Sequence, residues 1–170
     1  MKATKILKKV VFLFSFLLLI VISGCDDDTL DSDKKTGDSI NTAKLLQLVN
    51  EQRSKGCNCG TEYYAPTTQL TWNNTLTLTA YDHSFDMNKK NFFSHTGSDG
   101  SNVGDRATRR GYIWKALGEN IAKGHTSEDA VINDWIKSEG HCKNIMNPNY
   151  KDMGVSKVGS YWTQVFGALK

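Results

Sequence analysis

Apolar positions follow several different periods along this chain, and each period predicts a different element. Val10 to Ile22 is a continuous apolar run of thirteen residues broken by Ser15. Such a run suits the core of an export signal and falls short of the ~20 residues a permanent membrane helix needs. Residues 25–39 have almost nothing to bury. From residue 40 onward, Leu45, Leu46, Val49 and Arg53 recur at three-and-four spacing, which predicts a helix over 40–55 stopped by Gly56. Gly60 to Gln69 reads as loop. Leu76, Ala80, His83 and Met87 then share one face of a second helix over 74–90, so His83 points with the core residues and reads as a core histidine.

Phe92 to Asn102 reads as loop, with Gly97 and Gly100, followed by a short helix ending near Gly111 and an extended segment from Trp114 to Ala122. Thr126-Ser127-Glu128-Asp129 has the form of a capping box opening a helix to about Ser138, with Val131, Ile132, Trp135 and Ile136 as its buried stripe. The period then changes to strand-like in Met153–Val158 and Tyr161–Ala168. Gly159-Ser160 between them suits a type II′ hairpin. Outer helices with late antiparallel strands give an α+β plan.

The N-terminus supplies an address. Lys2, Lys5, Lys8 and Lys9 precede the apolar run, and Ile22-Ser23-Gly24-Cys25 resembles the bacterial lipobox. The expectation is a signal peptide over 1–24, cleaved before a lipidated Cys25 (diacylglyceryl and palmitate chains), a flexible tether over 25–39 and one domain over 40–170. The domain would then sit outside the cytoplasm on the bacterial cell envelope, with the membrane as its first partner. Charge changes the picture only by subtraction. Four of the positive charges behind the net +3 lie in residues 1–24, which hold no acids, leaving −1 on the remainder. No basic surface for nucleic acid is implied.

Several motifs carry a family resemblance. They are Leu-Thr-Trp-Asn at 70–73, His-Ser-Phe-Asp-Met at 83–87, Phe-Phe-Ser-His-Thr-Gly-Ser-Asp-Gly at 92–100 and Gly-Glu-Asn-Ile-Ala at 118–122. Trp135, Gly-His-Cys-Lys-Asn-Ile-Met-Asn-Pro at 140–148 and Tyr-Trp-Thr-Gln-Val-Phe-Gly at 161–167 follow in order. From about residue 43 to 168 the chain resembles the CAP superfamily (SCP-like: cysteine-rich secretory proteins, antigen 5 and pathogenesis-related 1), in its bacterial branch. The resemblance implies a three-layer α-β-α sandwich with a small central antiparallel sheet and a cleft. In eukaryotic members two histidines and two glutamates line that cleft and sometimes hold a divalent metal. The first histidine matches His95 and the first glutamate Glu119. The other two positions fall on Ser138 and Tyr161, so half of the set is replaced, and His141 is expected near the cleft instead.

Chemically, a histidine beside a carboxylate can ligate a metal, move a proton or hold a ligand. His95 and His141 could carry zinc, although no H-E-x-x-H spacing supports it. Ser94, Ser138 and Cys142 are adjacent to or near histidines, yet no G-x-S-x-G elbow appears. His125 reads as a bystander in a loop. Cys57, Cys59 and Cys142 remain after Cys25, an odd number in an exported chain. Similar bacterial domains imply a Cys59–Cys142 disulfide, leaving Cys57 unpaired or in competition. The reading is a binding module for a lipid, peptide or protein partner that requires no cofactor. The alternatives are an envelope scaffold and a metal-dependent hydrolase using His95, Glu119 and His141.

Overall fold

Two glycines start the two hairpins of the fold. Gly159 and Gly60 occupy the first central position of two-residue turns with φ of 58° and 66°, while Ser160 and Thr61 keep negative φ. That combination is the type II′ arrangement, whose twist matches the flanking strands. The structure is a computed structural model and describes residues 37–170. The expected signal peptide, Cys25 and the expected tether as far as residue 36 lie outside the described residues.

The elements run α1 (Thr42–Lys55), β1 (Cys57–Cys59), β2 (Glu62–Tyr64), β3 (Thr71–Trp72), α2 (Asn74–Lys90), α3 (Val103–Arg109), β4 (Trp114–Lys123), α4 (Glu128–Lys137), α5 (Glu139–Met146), β5 (Asp152–Val158) and β6 (Tyr161–Leu169). The main sheet has the order β3-β5-β6-β4, and β1-β2 form a separate hairpin. Alternation along the strands divides the core. Met153, Val155, Trp162 and Phe166 face α1, α4 and α5, while Val165 packs with Leu76 and Ala80 of α2. β6 is buried at every position but its last, as a strand covered on both faces must be. This is a three-layer α-β-α sandwich. Gly154 lets α2 approach closely, since a Cβ there would lie 2.2 Å from the Thr77 backbone nitrogen.

Four expectations change. The sheet is mixed rather than antiparallel, because Thr71 and Trp72 pair parallel with Asp152 and Met153. The stretch expected as loop from Gly60 contains β2. The helix expected to end near Ser138 is followed at once by another that carries His141: the chain bends at Ser138, in an extended conformation, and restarts as α5 there. The capping residue of α4 is Ser127, accepting from the Ala130 N–H, one residue later than the predicted box.

Arg53, on the buried face of α1, is fully buried. Its Nε donates to Thr68 O at 2.8 Å, and Nη1 donates to Ile145 O at 2.6 Å and Asn147 O at 3.0 Å. Burial pulls its pKa down to about 10. One side chain thus closes the C-terminal end of α5, which must otherwise leave carbonyls unsatisfied. Arg53→Met keeps the length and removes the donors, so it should lower the unfolding free energy by ~3 kcal/mol or more. Urea denaturation checks this; a loss below ~1 kcal/mol would show that other groups satisfy those carbonyls.

Candidate functional site

The site is built on β4, an edge strand whose outward carbonyls are covered by side chains. Tyr150 Oη donates to Leu117 O at 3.0 Å, Asn144 Nδ2 to Glu119 O at 3.0 Å and Trp135 Nε1 to Ile121 O at 3.2 Å. Alternate carbonyls of the edge are therefore occupied by α4, α5 and the segment after it. An exposed edge would otherwise recruit another strand. Asn120, fully buried, donates to His141 O at 3.2 Å and Gln164 Oε1 at 3.0 Å, and accepts from Asn144 at 2.9 Å. This network fixes the first turn of α5, and with it His141, against the strand.

Glu119 points to the opposite face. Its Oε1 accepts from His95 Nδ1 at 2.8 Å and its Oε2 from Arg106 Nη2 at 2.7 Å. Glu119 and Arg106 are both buried, whereas the His95 side chain is 58% exposed. Arg106 also donates to His95 O and Ser101 O. His83 Nε2 donates to Ser94 O at 2.8 Å and lies 3.8 Å from Glu119 Oε1. Asp86 accepts from both the Ser98 N–H and hydroxyl. The 94–101 loop is therefore held from three sides. With its Nδ1 committed to Glu119, the exposed His95 ring keeps Nε2 for a ligand.

His95 and His141 line one cleft of about 440 Å³ with Phe93, Ser94, Ile121, Ala122 and Lys123; His125 and Asp134 complete the wall. His125 Nε2 lies 3.4 Å from Asp134 Oδ2. Burial, and then the nearby His95, depress the His141 pKa. The remaining candidates fall elsewhere. Ser138 joins α4 to α5 and is not among the cleft residues, nor is Tyr161. Tyr161 is buried with Met87 and Ile121 and donates its hydroxyl to Asn91. Arg106, Asp134 and the cleft position of His125 had no sequence motif to announce them, and Phe93 lay inside the 92–100 motif without being singled out. His83, expected as a core histidine, is buried as such and also braces the cleft loop.

The nucleophiles are not poised. Ser94 Oγ accepts from the Thr96 N–H at 3.1 Å, and Cys142 is bonded to Cys59. The ligand-type side chains of the cleft are His95, His125, His141 and Asp134, whereas both oxygens of Glu119 are committed to His95 and Arg106 and leave none for a metal. Among the described residues, the set of three ligand-type side chains close enough to share an ion is Cys57, Cys59 and Cys142, away from the cleft.

The profile of the cysteine-rich secretory protein family matches residues 46–166. The chain belongs to this CAP family. Its CAP domain is 38% identical over 125 residues to the Bacillus subtilis protein YkwD, an alignment covering 72% of this chain and 45% of that protein. It is 34% identical to the B. subtilis membrane protein YlbC, covering 72% and 33% respectively. The chain thus spans less than half the length of either relative. An extracellular SCP-domain protein of Bacillus anthracis superposes with a TM-score of 0.66 at 31% identity, over 74% of this chain and 39% of that one.

Burial is the main cause depressing both His83 and His141. The unfolded chain, with histidine near ~6.5, therefore takes up protons before the folded CAP domain does. Folding stability should fall as pH drops below about 6.5 toward those lower folded values. His83→Gln, which can still donate to Ser94 O, should flatten part of that fall. Urea midpoints at pH 7.5 and 5.0 for both proteins measure it; equal slopes would remove His83 as a cause.

Proposed function

We propose that this protein is an extracytoplasmic lipoprotein whose CAP domain is a binding module, taking a peptide segment of an envelope partner in the cleft beside His95. The observation that carries the reading is the cleft's composition. Half-exposed Phe93 stands with Ile121 and Ala122 beside the exposed His95 ring, and the Ser94 hydroxyl in the same wall accepts from the Thr96 N–H. Apolar contact area with a few fixed polar groups suits ligand recognition. A lipid chain would need an enclosed apolar cavity, whereas this cleft is open and ringed by His125, His141, Asp134 and Lys123. A peptide offers both side chains for the floor and carbonyl or amide groups for the imidazoles.

The envelope location is supported by the lipobox at Cys25 and by similarity to an extracellular and a membrane protein. Cys25→Ala should move the protein from the membrane to the soluble fraction. Retention at the membrane would show a different anchor.

The cleft is tested by NMR titration of the full chain, in detergent micelles, with a pool of short synthetic peptides. Amide shifts should centre on Phe93, His95, Ile121 and His141, the peptides should be recovered intact, and Phe93→Ala should weaken binding ~10-fold. Peptide cleavage lost in His95→Ala would establish the hydrolase alternative instead. Shifts confined to another surface would remove the cleft as the binding site. A parallel zinc titration that changes the His95 and His141 ring signals would give the cleft a metal.

A further inference from the structure

The β1–β2 hairpin lies outside the main sheet and brings three sulfurs together. Side chains alternate along a strand, so Cys57 and Cys59 share one face of β1 while Asn58 is exposed on the other. Both reach Cys142 on α5. Cys59 and Cys142 are bonded and fully buried, and Cys57 remains a half-buried thiol. Its Sγ lies 3.5 Å from Cys142 Sγ and 4.0 Å from Cys59 Sγ.

We propose that these residues form a thiol–disulfide exchange centre, in which the disulfide passes between the Cys59–Cys142 and Cys57–Cys142 pairings. Cys57 loses its proton to solvent and its thiolate attacks Cys142 Sγ. The Cys57–Cys142 bond forms as the Cys59–Cys142 bond breaks, the electron pair leaves on Cys59 Sγ, and that sulfur takes up a proton. One disulfide and one thiol stand on each side, so the step needs no outside oxidant.

The geometry favours this exchange over the other. Cys57 Sγ sits beside the disulfide, somewhat closer to Cys142 Sγ than to Cys59 Sγ, and must shift from this side-on position to the in-line approach that exchange at Cys142 requires. Attack on Cys59 would instead bridge two residues of one strand, about 6.6 Å apart at Cα and at the outer limit of disulfide geometry. Burial raises the Cys57 pKa, while contact with the Gln52 side chain opposes it. The centre therefore rests as a thiol that exchanges through a minor thiolate fraction. Exchange moves the thiol from a half-buried position to a fully buried one, out of reach of solution reagents.

The test uses the full oxidised chain, purified in detergent and held at pH 8. Samples are quenched in acid, denatured and alkylated with N-ethylmaleimide, and tandem mass spectrometry of the digest locates the label. The expected result is roughly a tenth or more of the label on Cys59, with the remainder on Cys57. Label on Cys57 alone after prolonged incubation would overturn the proposal. A second arm takes Cys59→Ser, which should form a Cys57–Cys142 disulfide; a folded variant with two reactive thiols would contradict it. Should that variant not fold, the wild-type label distribution still decides.

Discussion

The carboxylate of Glu119 is the constraint on which the cleft depends, because each of its oxygens is taken by a different element. Arg106 of α3 holds one and His95 of the loop holds the other, while the backbone behind the carboxylate is clipped by Asn144 of α5. A buried charge pair of this kind is costly to desolvate, and removing one partner from such a pair commonly costs ~3–5 kcal/mol. What it provides here is position. His95 is held with Nδ1 turned to the carboxylate, on a loop that His83, Asp86 and Arg106 anchor as well.

The opposite face of β4 shows the same economy of polar groups. Asn120, Gln164 and Asn144 satisfy one another in a place where an unpaired amide would be expensive, and they seat α5 by the His141 carbonyl. The Cys59–Cys142 disulfide then ties α5 to the β1–β2 hairpin across a sequence separation of 83 residues. A cross-link closing so long a segment stabilises by ~2–4 kcal/mol, chiefly by restricting the unfolded chain. His141 is thus fixed through its carbonyl on one side and through its neighbour Cys142 on the other.

Long periodic segments were legible in the sequence because their signals are local. α1, α2 and α4 follow three-and-four spacing, and the β5–β6 hairpin follows from alternation around Gly159. The elements that escaped are short or depend on distant partners. β3 has two residues and exists through pairing with residues 81 positions further along the chain. β1 and β2 have three residues each, too few to show a period, and α5 is eight residues long with Gly140 in its first turn. The cleft divides the same way. The motifs around His95, Glu119 and His141 mark their residues, and the fold brings the three to one region. Arg106 carries no motif, because a single basic residue in a seven-residue helix acquires meaning only from the carboxylate it meets. Tyr161 aligned with a cleft position, yet its face of β6 turns it under Phe92 and Met87.

Together these features describe a cleft in which an oriented His95 ring stands beside Phe93, Ile121 and Ala122, and the proposed recognition role rests on that arrangement. The account rests on His95 being oriented by Glu119. The most direct measurement is the tautomer of the neutral His95 ring, read from long-range proton–nitrogen correlations in a nitrogen-labelled sample. A proton on Nδ1 in the wild type, lost from that nitrogen in Glu119→Gln, is the predicted result. A proton on Nε2 in the wild type would mean that Glu119 does not set the ring, and the proposed role of the cleft would fall with it.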